Sequence, residues 1–461
     1  MIVPDAAHAA EALLAGRSLE DAEALPTSQT QVTVLSAMWP DQPDELLRAI
    51  IDEARNHGVF LHLLIADLSG RLAFLDDEAL KGLSDGSLSI TTIAGSVPRS
   101  LASLIGYRTE TLWELDRLLE NGALPFDIFV SRASNAVTGN SPMGVRAPVH
   151  FSSMVGYGSA AIAQATALGL EMVPGIEHVE TPAIETDLPT FAFEPSTASD
   201  SRSPAQVPTA SAAAATPTPE QQRIGELAAA LIPAHATLQL GLGAIPDALI
   251  AALDPTGSYG LHCGMLPPSA PAAIAAGVFT GDHKGRDVGL HVATGMSPLS
   301  QSQQRVWTES PRLDAANLPG APPPRRVVHL RAVTATHDPV VLASLHSLWS
   351  INSAFEVDLA GNVNSEWVSG VRSTSGGGQA DFARAAHLHP EGASVIALPT
   401  RARDGSPRIV RALDHEPTTP GHDVDIIVTE FGVADLRECT AAQRAARIAQ
   451  IAHPDDRHLL K

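Results

Sequence analysis

Two glycine clusters in the second half of the chain have the residue types needed to hold an anionic or carbonyl oxygen. Each cluster directly precedes a segment with helical periodicity. The free N–H groups at the start of a helix favour such an oxygen, and glycine lets the backbone come close to it. The clusters consist of Gly241 and Gly243, and of Gly376, Gly377, Gly378 and Gln379. On these features alone, a tight packing turn or a flexible loop is an equally good interpretation.

A polar segment, WSINSAFEVDLAGNVNSEW, lies between these clusters at residues 349–367. Asn352, Glu356 and Asp358 stand there among apolar residues, and Glu366 lies near its end. The three acids are candidate general bases, and Asn352 is a candidate contact to a substrate. The segment by itself is more typical of a strand and turn whose polar side chains satisfy backbone groups.

His262 and Cys263 are the remaining neighbours with catalytic chemistry. A cysteine can act as a nucleophile with a histidine as base, but adjacent residues on a strand point to opposite faces, which argues against a pair. A buried, inert cysteine is the favoured interpretation. The chain has only one other cysteine, Cys439, and this spacing fits neither a zinc site nor a disulfide framework. We therefore expect no metal.

The elements that must position these residues alternate along the chain. Short apolar runs predict strands at residues 31–37, 59–66, 126–131, 236–242, 394–400 and 424–431. Between such runs lie Ala- and Leu-rich segments with helical periodicity, one of which Gly122 can end and another of which Thr440 can cap. This alternation predicts an α/β fold with mainly parallel sheets flanked by helices.

Length and composition predict two large domains joined by a linker. The chain has 461 residues, and residues 194–220 are rich in Pro, Ser, Thr and Ala, a composition that cannot form a core. We expect domains at 1–193 and 221–461, and a surface loop at the Pro-rich residues 309–326. The net charge of −21 argues against binding of nucleic acid or anionic membranes. With no signal-like start and no long apolar segment, a cytoplasmic protein is predicted.

The glycine clusters and the polar segment, together with residues 394–410 and 424–457, resemble the acetyl-CoA hydrolase and 4-hydroxybutyrate CoA-transferase family. The resemblance implies two related CoA-transferase-like domains with the active site between them, and a homodimer. It also implies an acyl-CoA or CoA substrate, with a small carboxylate as one acceptor. In that family a glutamate attacks the thioester, and the resulting mixed anhydride is converted to a glutamyl-CoA intermediate.

This chain departs from the family at the nucleophile. Family members have a segment of the form Gly-Ile-His-Thr-Glu-Met where this chain reads GLHCGM at residues 260–265, so Gly264 stands in place of the glutamate. The flanking histidine and methionine match, and no acid occurs between Asp254 and Asp282. Other parts of the pattern also differ, at residues 138–145 and 172–185 and at Arg372–Thr374.

Three functions are consistent with this pattern. The first is an enzyme that hydrolyses or transfers an acyl group from CoA without the glutamyl intermediate. His262, Cys263 and Glu356 then remain as candidate catalytic residues beside Gly264. The second is a pseudoenzyme that binds CoA or a protein partner, and the third is a hydrolase of carbon–carbon bonds in β-dicarbonyl CoA esters.

Overall fold

The computed structural model describes residues 1–15, 31–135, 148–176, 179–196, 217–297 and 327–461. The chain divides into two compact units. The first comprises Met1–Glu177, Thr181–Gln206 and Ser373–Ser375, and the second comprises His178–Glu180, Val207–Arg372 and Gly376–Lys461. Most of the predicted linker, the predicted loop at 309–326 and the divergent segment at 138–145 lie outside the described residues.

The first unit alternates strands and helices as its sequence pattern predicts. Its helices are α1 (Ala6–Ala15), α2 (Asp44–Asn56), α3 (Asp77–Asp85), α4 (Leu112–Glu120) and α5 (Gly158–Gln164). The strands of this part of the chain are β1 (Gln31–Met38), β2 (Phe60–Ala66), β3 (Leu88–Thr92), β4 (Gly106–Tyr107), β5 (Ile128–Asn135), β6 (Val149–Phe151), β7 (Ala167–Met172), β8 (Val179–Glu180) and β9 (Thr190–Phe193). Of these, β8 belongs to the second unit.

The sheet of the first unit is parallel apart from one strand. Its order is β4-β3-β2-β1-β5-β7-β9, and β6 pairs with β5 in the antiparallel direction. Strand β1 is almost continuously buried, as expected of a parallel strand covered on both faces. Helix α2 buries Leu46, Leu47, Ile50, Ile51 and Ala54 against the core because these residues recur at three- and four-residue intervals.

The second unit contains the remaining elements. Its helices are α6 (Pro219–Ala229), α7 (Ala244–Ala252), α8 (Ala270–Ala275), α9 (Val333–Thr336), α10 (Pro339–Ala343), α11 (Gln379–Leu388) and α12 (Ala441–Gln450). Its further strands are β10 (Thr237–Leu240), β11 (Gly260–Leu266), β12 (His291–Met296), β13 (Val328–Leu330), β14 (Leu348–Asn352), β15 (Glu356–Asp358), β16 (Val363–Asn364), β17 (Trp367–Val368), β18 (Val371–Arg372), β19 (Ala393–Ala397), β20 (Ile409–Val410), β21 (Ile426–Thr429) and β22 (Gly432–Asp435).

The first glycine cluster follows a central strand in the large sheet of the second unit. Its order is β22-β21-β19-β14-β10-β11-β12-β13-β8, parallel except for the pair of β21 and β22. Strand β10 is followed by its neighbour β11 on one side, whereas β14 leads to β19 on the other. The carboxyl ends of β10 and β14 therefore meet where the connections diverge, and ligands of open α/β sheets bind at such a crevice.

The predicted fold class is confirmed, and so are the predicted strands, each within a few residues. One boundary differs in the glycine cluster: Gln379 is the first residue of α11 rather than the residue before it. The polar segment 349–367 forms β14 and the short pair β15 and β16, with β17 beginning at Trp367. No helix among the described residues has the length and apolar character needed to cross a membrane.

Candidate functional site

A buried amide network occupies the carboxyl ends of β10 and β14. Asn352 donates to Gln239 Oε1 at 3.0 Å and accepts from Gln239 Nε2 at 3.2 Å. Ser350 donates its hydroxyl proton to Gln239 Oε1 at 2.6 Å, and its oxygen lies 2.9 Å from Asn352 Nδ2. A β-carbon placed on Gly241 would lie 3.4 Å from Asn352 Oδ1. The network therefore holds the Asn352 amide in one orientation directly beside the first glycine turn.

The first glycine turn leads from β10 into α7. Gly243 has a φ of 125°, in the region that favours glycine, and a β-carbon there would meet open space. Backbone conformation, rather than crowding, therefore favours glycine at position 243. The structure thus places Gly241 beside Asn352, with Gly243 two residues further along the turn.

Cys263 is completely buried in β11, beside β10. Its Sγ lies 3.7 Å from the carbonyl oxygen of Leu238, and burial raises the pKa of the thiol to about 12. The side chain is consequently a thiol at physiological pH, without the thiolate that a nucleophile needs.

His262 is also completely buried, and its ring forms a hydrogen bond with Thr336 rather than with Cys263. Its Nε2 donates to the carbonyl oxygen of Thr336 at 3.0 Å, and within the described residues Nδ1 has no hydrogen-bond partner. Burial, reinforced by the charge of Lys284, lowers the pKa of His262 to about 3. In this arrangement Cys263 provides no thiolate nucleophile, and the imidazole of His262 is only a weak base.

Gly264 lies one residue further along β11, next to a histidine that the sequence analysis missed. A β-carbon placed on Gly264 would lie 3.4 Å from Nε2 of His337 and 3.7 Å from Phe382. A β-carbon placed on Gly378 would lie 2.4 Å from the same nitrogen. His337 thus fills the space beside both glycines. The sequence does not reveal this contact, because β11, α9 and α11 are far apart along the chain.

Two threonine hydroxyls hold the other side of the His337 ring. Thr336 Oγ1 lies 2.8 Å from His337 Nδ1 and 2.6 Å from Thr294 Oγ1. Phe382 packs at an angle of 60° to the imidazole, with ring centroids 4.6 Å apart. His337 is only 1% exposed, and burial lowers its pKa to about 3, so the ring is neutral at physiological pH.

The second glycine cluster begins beside Glu366. A β-carbon on Gly376 would lie 3.8 Å from Glu366 Oε1, and Gly377 has a φ of 57°. The Glu366 carboxylate accepts from Arg372 at 2.6 Å and from Thr418 at 3.1 Å. Gln379 points its amide at Thr419 Oγ1, 3.3 Å away. Arg372 therefore already neutralises the acid that is nearest to the cluster.

Glu356 and Asp358 lie in the small sheet formed by β16, β15 and β20. Glu356 accepts from Asn364 Nδ2 at 2.8 Å, and His415 Nε2 is 3.8 Å from the same oxygen. Asp358 accepts from the backbone N–H groups of Ala360 and Asn362, both at 2.9 Å. Asp358 thereby closes a turn, which is the structural role that the sequence analysis favoured for these acids.

No three His, Cys, Asp or Glu side chains of the described residues form a group that could hold a metal ion. Asn352 already donates both amide protons within its own network, so the candidates for contact with a ligand are the backbone amides at the glycine clusters and His337. Together they could position and polarise a carbonyl group, which requires hydrogen-bond donors rather than an acid.

Comparison with known proteins finds relatives whose names refer to coenzyme A transfer or hydrolysis. Residues 324–461 match the family model described as acetyl-CoA hydrolase/transferase C-terminal domain. A 4-hydroxybutyrate coenzyme A transferase of Clostridium kluyveri is 36% identical over 244 residues, 52% of this chain and 53% of that protein. An acetyl-CoA hydrolase of Kluyveromyces lactis is 37% identical over 134 residues, 28% of this chain and 25% of that protein. The chain thus spans about half the length, or less, of the curated relatives it matches.

Solved structures resemble the chain over nearly its whole length. RipA from Yersinia pestis has a TM-score of 0.73 and 25% identity, covering 98% of this chain and 97% of that one. A 4-hydroxybutyrate CoA-transferase from Porphyromonas gingivalis has a TM-score of 0.66 and 23% identity, covering 100% and 96%, and this likeness concerns the fold alone. The resemblance to the acetyl-CoA hydrolase and 4-hydroxybutyrate CoA-transferase family is thus confirmed, and residues 324–461 are the part that matches its C-terminal domain.

Proposed function

We propose that this chain acts on an acyl-CoA thioester, by hydrolysis or by acyl transfer, without a glutamyl-CoA intermediate. The observation that carries the proposal is Gly264, a residue without a side chain on β11, beside His337. The names of the similar proteins, a CoA transferase and an acetyl-CoA hydrolase, support the substrate class.

The chemistry follows from what the site offers. With no carboxylate at position 264 to carry the acyl group, water or the acceptor's own oxygen, such as that of a small carboxylate, must attack the thioester directly. In this proposal the N–H groups at the glycine clusters hold the negative oxygen that forms, and one well-placed donor contributes roughly 3 kcal/mol to the transition state. Coenzyme A is the leaving group.

The wider organisation is part of the same proposal. It comprises domains at 1–193 and 221–461, a linker at 194–220, a homodimer and a cytoplasmic location. These features follow from composition and from the family resemblance, and they do not affect the chemistry proposed at Gly264.

A turnover assay combined with mass spectrometry tests the proposal. Purified protein is incubated with a panel of acyl-CoA esters, with and without acetate as acceptor, and free CoA thiol is measured. We expect thiol release from at least one ester and no CoA attached to the peptide spanning residues 260–265. A CoA-linked peptide there would refute the mechanism. Calorimetric binding of CoA without turnover of any ester would instead favour a pseudoenzyme.

The Gly264→Glu variant supplies the side chain that the family uses. A β-carbon at this position makes ordinary contacts of 3.4–3.7 Å, so the start of the side chain is accommodated. We expect a detectable CoA adduct in this variant and none in the matched Gly264→Gln variant, since only the carboxylate can form an anhydride. A folded but inert Gly264→Glu variant would mean that the surrounding site no longer supports transfer.

A further inference from the structure

His337 is a buried polar side chain beside Gly264 and Gly378, near the carboxyl end of β11. It is 1% exposed, and its hydrogen bonds to Thr336 and Thr294 are made through Nδ1. Its Nε2 would lie 2.4 Å from a β-carbon on Gly378 and 3.4 Å from one on Gly264. It therefore faces the start of α11, a helix of ten residues, from inside the protein.

The hydroxyl network assigns the proton of the imidazole. The Thr336 hydroxyl has one proton and four nearby acceptors: Thr294 Oγ1 at 2.6 Å, His337 Nδ1 at 2.8 Å, the Ala332 carbonyl at 3.2 Å and the Val333 carbonyl at 3.4 Å. Both carbonyls already accept a backbone N–H. The Thr294 hydroxyl has no other acceptor as close among the described residues, so it donates to Thr336 Oγ1. Nδ1 is then the nearest acceptor left for the Thr336 proton, and the Thr336 hydroxyl donates to it.

With Nδ1 as acceptor, the neutral ring carries its proton on Nε2. Phe382 packs against the ring and fixes its plane. The result is a buried N–H group directed to the place where the N-terminus of α11 presents its own free amides. A helix N-terminus and a converging N–H both favour an oxygen that carries negative charge.

We propose that His337 is a further catalytic residue, whose Nε2–H donates to the thioester carbonyl oxygen of an acyl-CoA substrate. The inference rests on the proposed function. Water adds to the carbonyl carbon, its released proton passes to solvent, and the carbonyl oxygen becomes an oxyanion held by Nε2–H. The carbon–sulfur bond then breaks, the carbonyl re-forms, and the CoA thiolate takes up a proton. The products are a carboxylic acid and free CoA thiol.

The low pKa of His337 is consistent with a donor that keeps its proton throughout. Burial disfavours the imidazolium, so His337 is a poor base, whereas a neutral imidazole still donates through Nε2. A donor role and a base role therefore predict different behaviour for glutamine at this position. Its amide N–H can replace Nε2–H, but it cannot accept a proton from water.

The test compares His337→Gln, His337→Asn and His337→Ala in the full chain. Glutamine places an N–H where Nε2 lies, whereas asparagine reaches only to the place of Nδ1. We expect kcat to fall about 100- to 1,000-fold in the Asn and Ala variants with KM nearly unchanged, and less than about tenfold in the Gln variant. Equal losses in all three folded variants, or no loss in any, would overturn the donor role. His57→Gln, at an exposed histidine following α2, is the matched control.

A binding measurement separates this inference from the proposed function. Calorimetry is carried out with CoA and with an acyl-CoA analogue in which a methylene group replaces the thioester sulfur but the carbonyl remains. We expect wild type and His337→Gln to prefer the carbonyl analogue, and His337→Asn to lose this preference while binding CoA normally. The same preference in His337→Asn would overturn the inference alone. Wild type that binds neither ligand would overturn the proposed function and the inference with it.

Circular dichroism verifies the fold of each variant. If His337→Ala does not fold, the comparison of the Gln and Asn variants, which both keep a polar side chain, decides the question.

Discussion

At the scale of single residues, the site depends on which positions lack a side chain. Gly264 and Gly378 both face His337, but they differ in the room available. A β-carbon on Gly264 makes contacts of 3.4 Å or more, whereas one on Gly378 would lie 2.4 Å from Nε2 and 2.8 Å from Cδ2 of the imidazole. Glycine is therefore sterically required at 378, and at 264 an alanine would fit.

We expect Gly378→Ala to lower the free energy of unfolding by about 1–3 kcal/mol, because the added methyl group overlaps an imidazole held by hydrogen bonds. Gly376→Ala is the matched control in the same cluster, since its β-carbon would make ordinary contacts of 3.7 Å or more. Urea unfolding of both variants measures the difference. Equal stability of the two variants would show that His337 does not occupy the position described.

A second residue-scale feature is Asp116 on α4. It lies on the buried face of the helix with Leu112, Leu115 and Leu119, and it is 1% exposed. Within the described residues neither carboxylate oxygen has a hydrogen-bond partner. Burial, with a smaller contribution from Glu120, raises the pKa of Asp116 from 3.8 to about 7. The folded state therefore favours the protonated acid.

This shift predicts how stability changes with pH. Between about pH 4 and pH 7 the folded protein retains a proton that the unfolded chain has released, so the contribution of Asp116 to stability decreases as pH rises. The decrease is up to about 4 kcal/mol and ends above pH 7. We expect Asp116→Asn to gain stability relative to wild type across this window, measured by urea unfolding at several pH values. The exposed Asp187→Asn serves as control, and a pH-independent difference for Asp116→Asn would contradict the shift.

At the scale of elements, local sequence signals specify helix ends. Thr440 begins α12 with reciprocal bonds: its hydroxyl oxygen accepts from the N–H of Gln443 at 3.3 Å, and Gln443 Oε1 accepts from the N–H of Thr440 at 2.9 Å. The predicted cap is confirmed. The helix ends at Gln450, and a 3-10 helix follows at Pro454–Leu460.

We expect Thr440→Ala to lower the free energy of unfolding by about 1 kcal/mol, because the N–H of Gln443 loses the hydroxyl oxygen that accepts from it. Thr440→Ser keeps the hydroxyl and should remain close to wild type. Urea unfolding of the pair measures the effect. A destabilised serine variant would indicate that the threonine methyl group, rather than the cap, contributes the stability.

At the scale of the whole molecule, both units use the same arrangement of strands. In the first sheet β1 leads to β2 on one side and β5 leads towards β7 on the other. In the second sheet β10 and β14 diverge in the same manner. In the first unit the adjacent strands β5 and β7 carry the ion pair of Arg132 and Glu171, 2.8 Å apart and almost completely buried. In the second unit the carboxyl ends of β10 and β14 carry the amide network, and the first glycine turn follows β10.

The sequence by itself determined the α/β class, most strand and helix positions, the cap at Thr440 and the glycine turns. These features depend on spacing and turn chemistry within a few residues, which can be inferred from the linear chain. It also determined that position 264 has no carboxylate. Only the tertiary structure decided what surrounds that position, because the groups that meet there come from separate elements. Gln239 and Asn352 are 113 residues apart, and Thr294 and His337 are 43 apart.

The candidate residues chosen from the sequence, His262 and Cys263, differ from His337 for the same reason. Sequence analysis selected His262 and Cys263 because they adjoin Gly264 in the chain, yet adjacency along a strand places side chains on alternate faces. Burial then keeps one as a neutral imidazole and the other as a thiol. His337 lies far from Gly264 in the sequence, and parallel strands with crossover helices bring it next to that glycine. Chain neighbours are therefore visible in the sequence, whereas neighbours in space depend on how the sheet orders its strands.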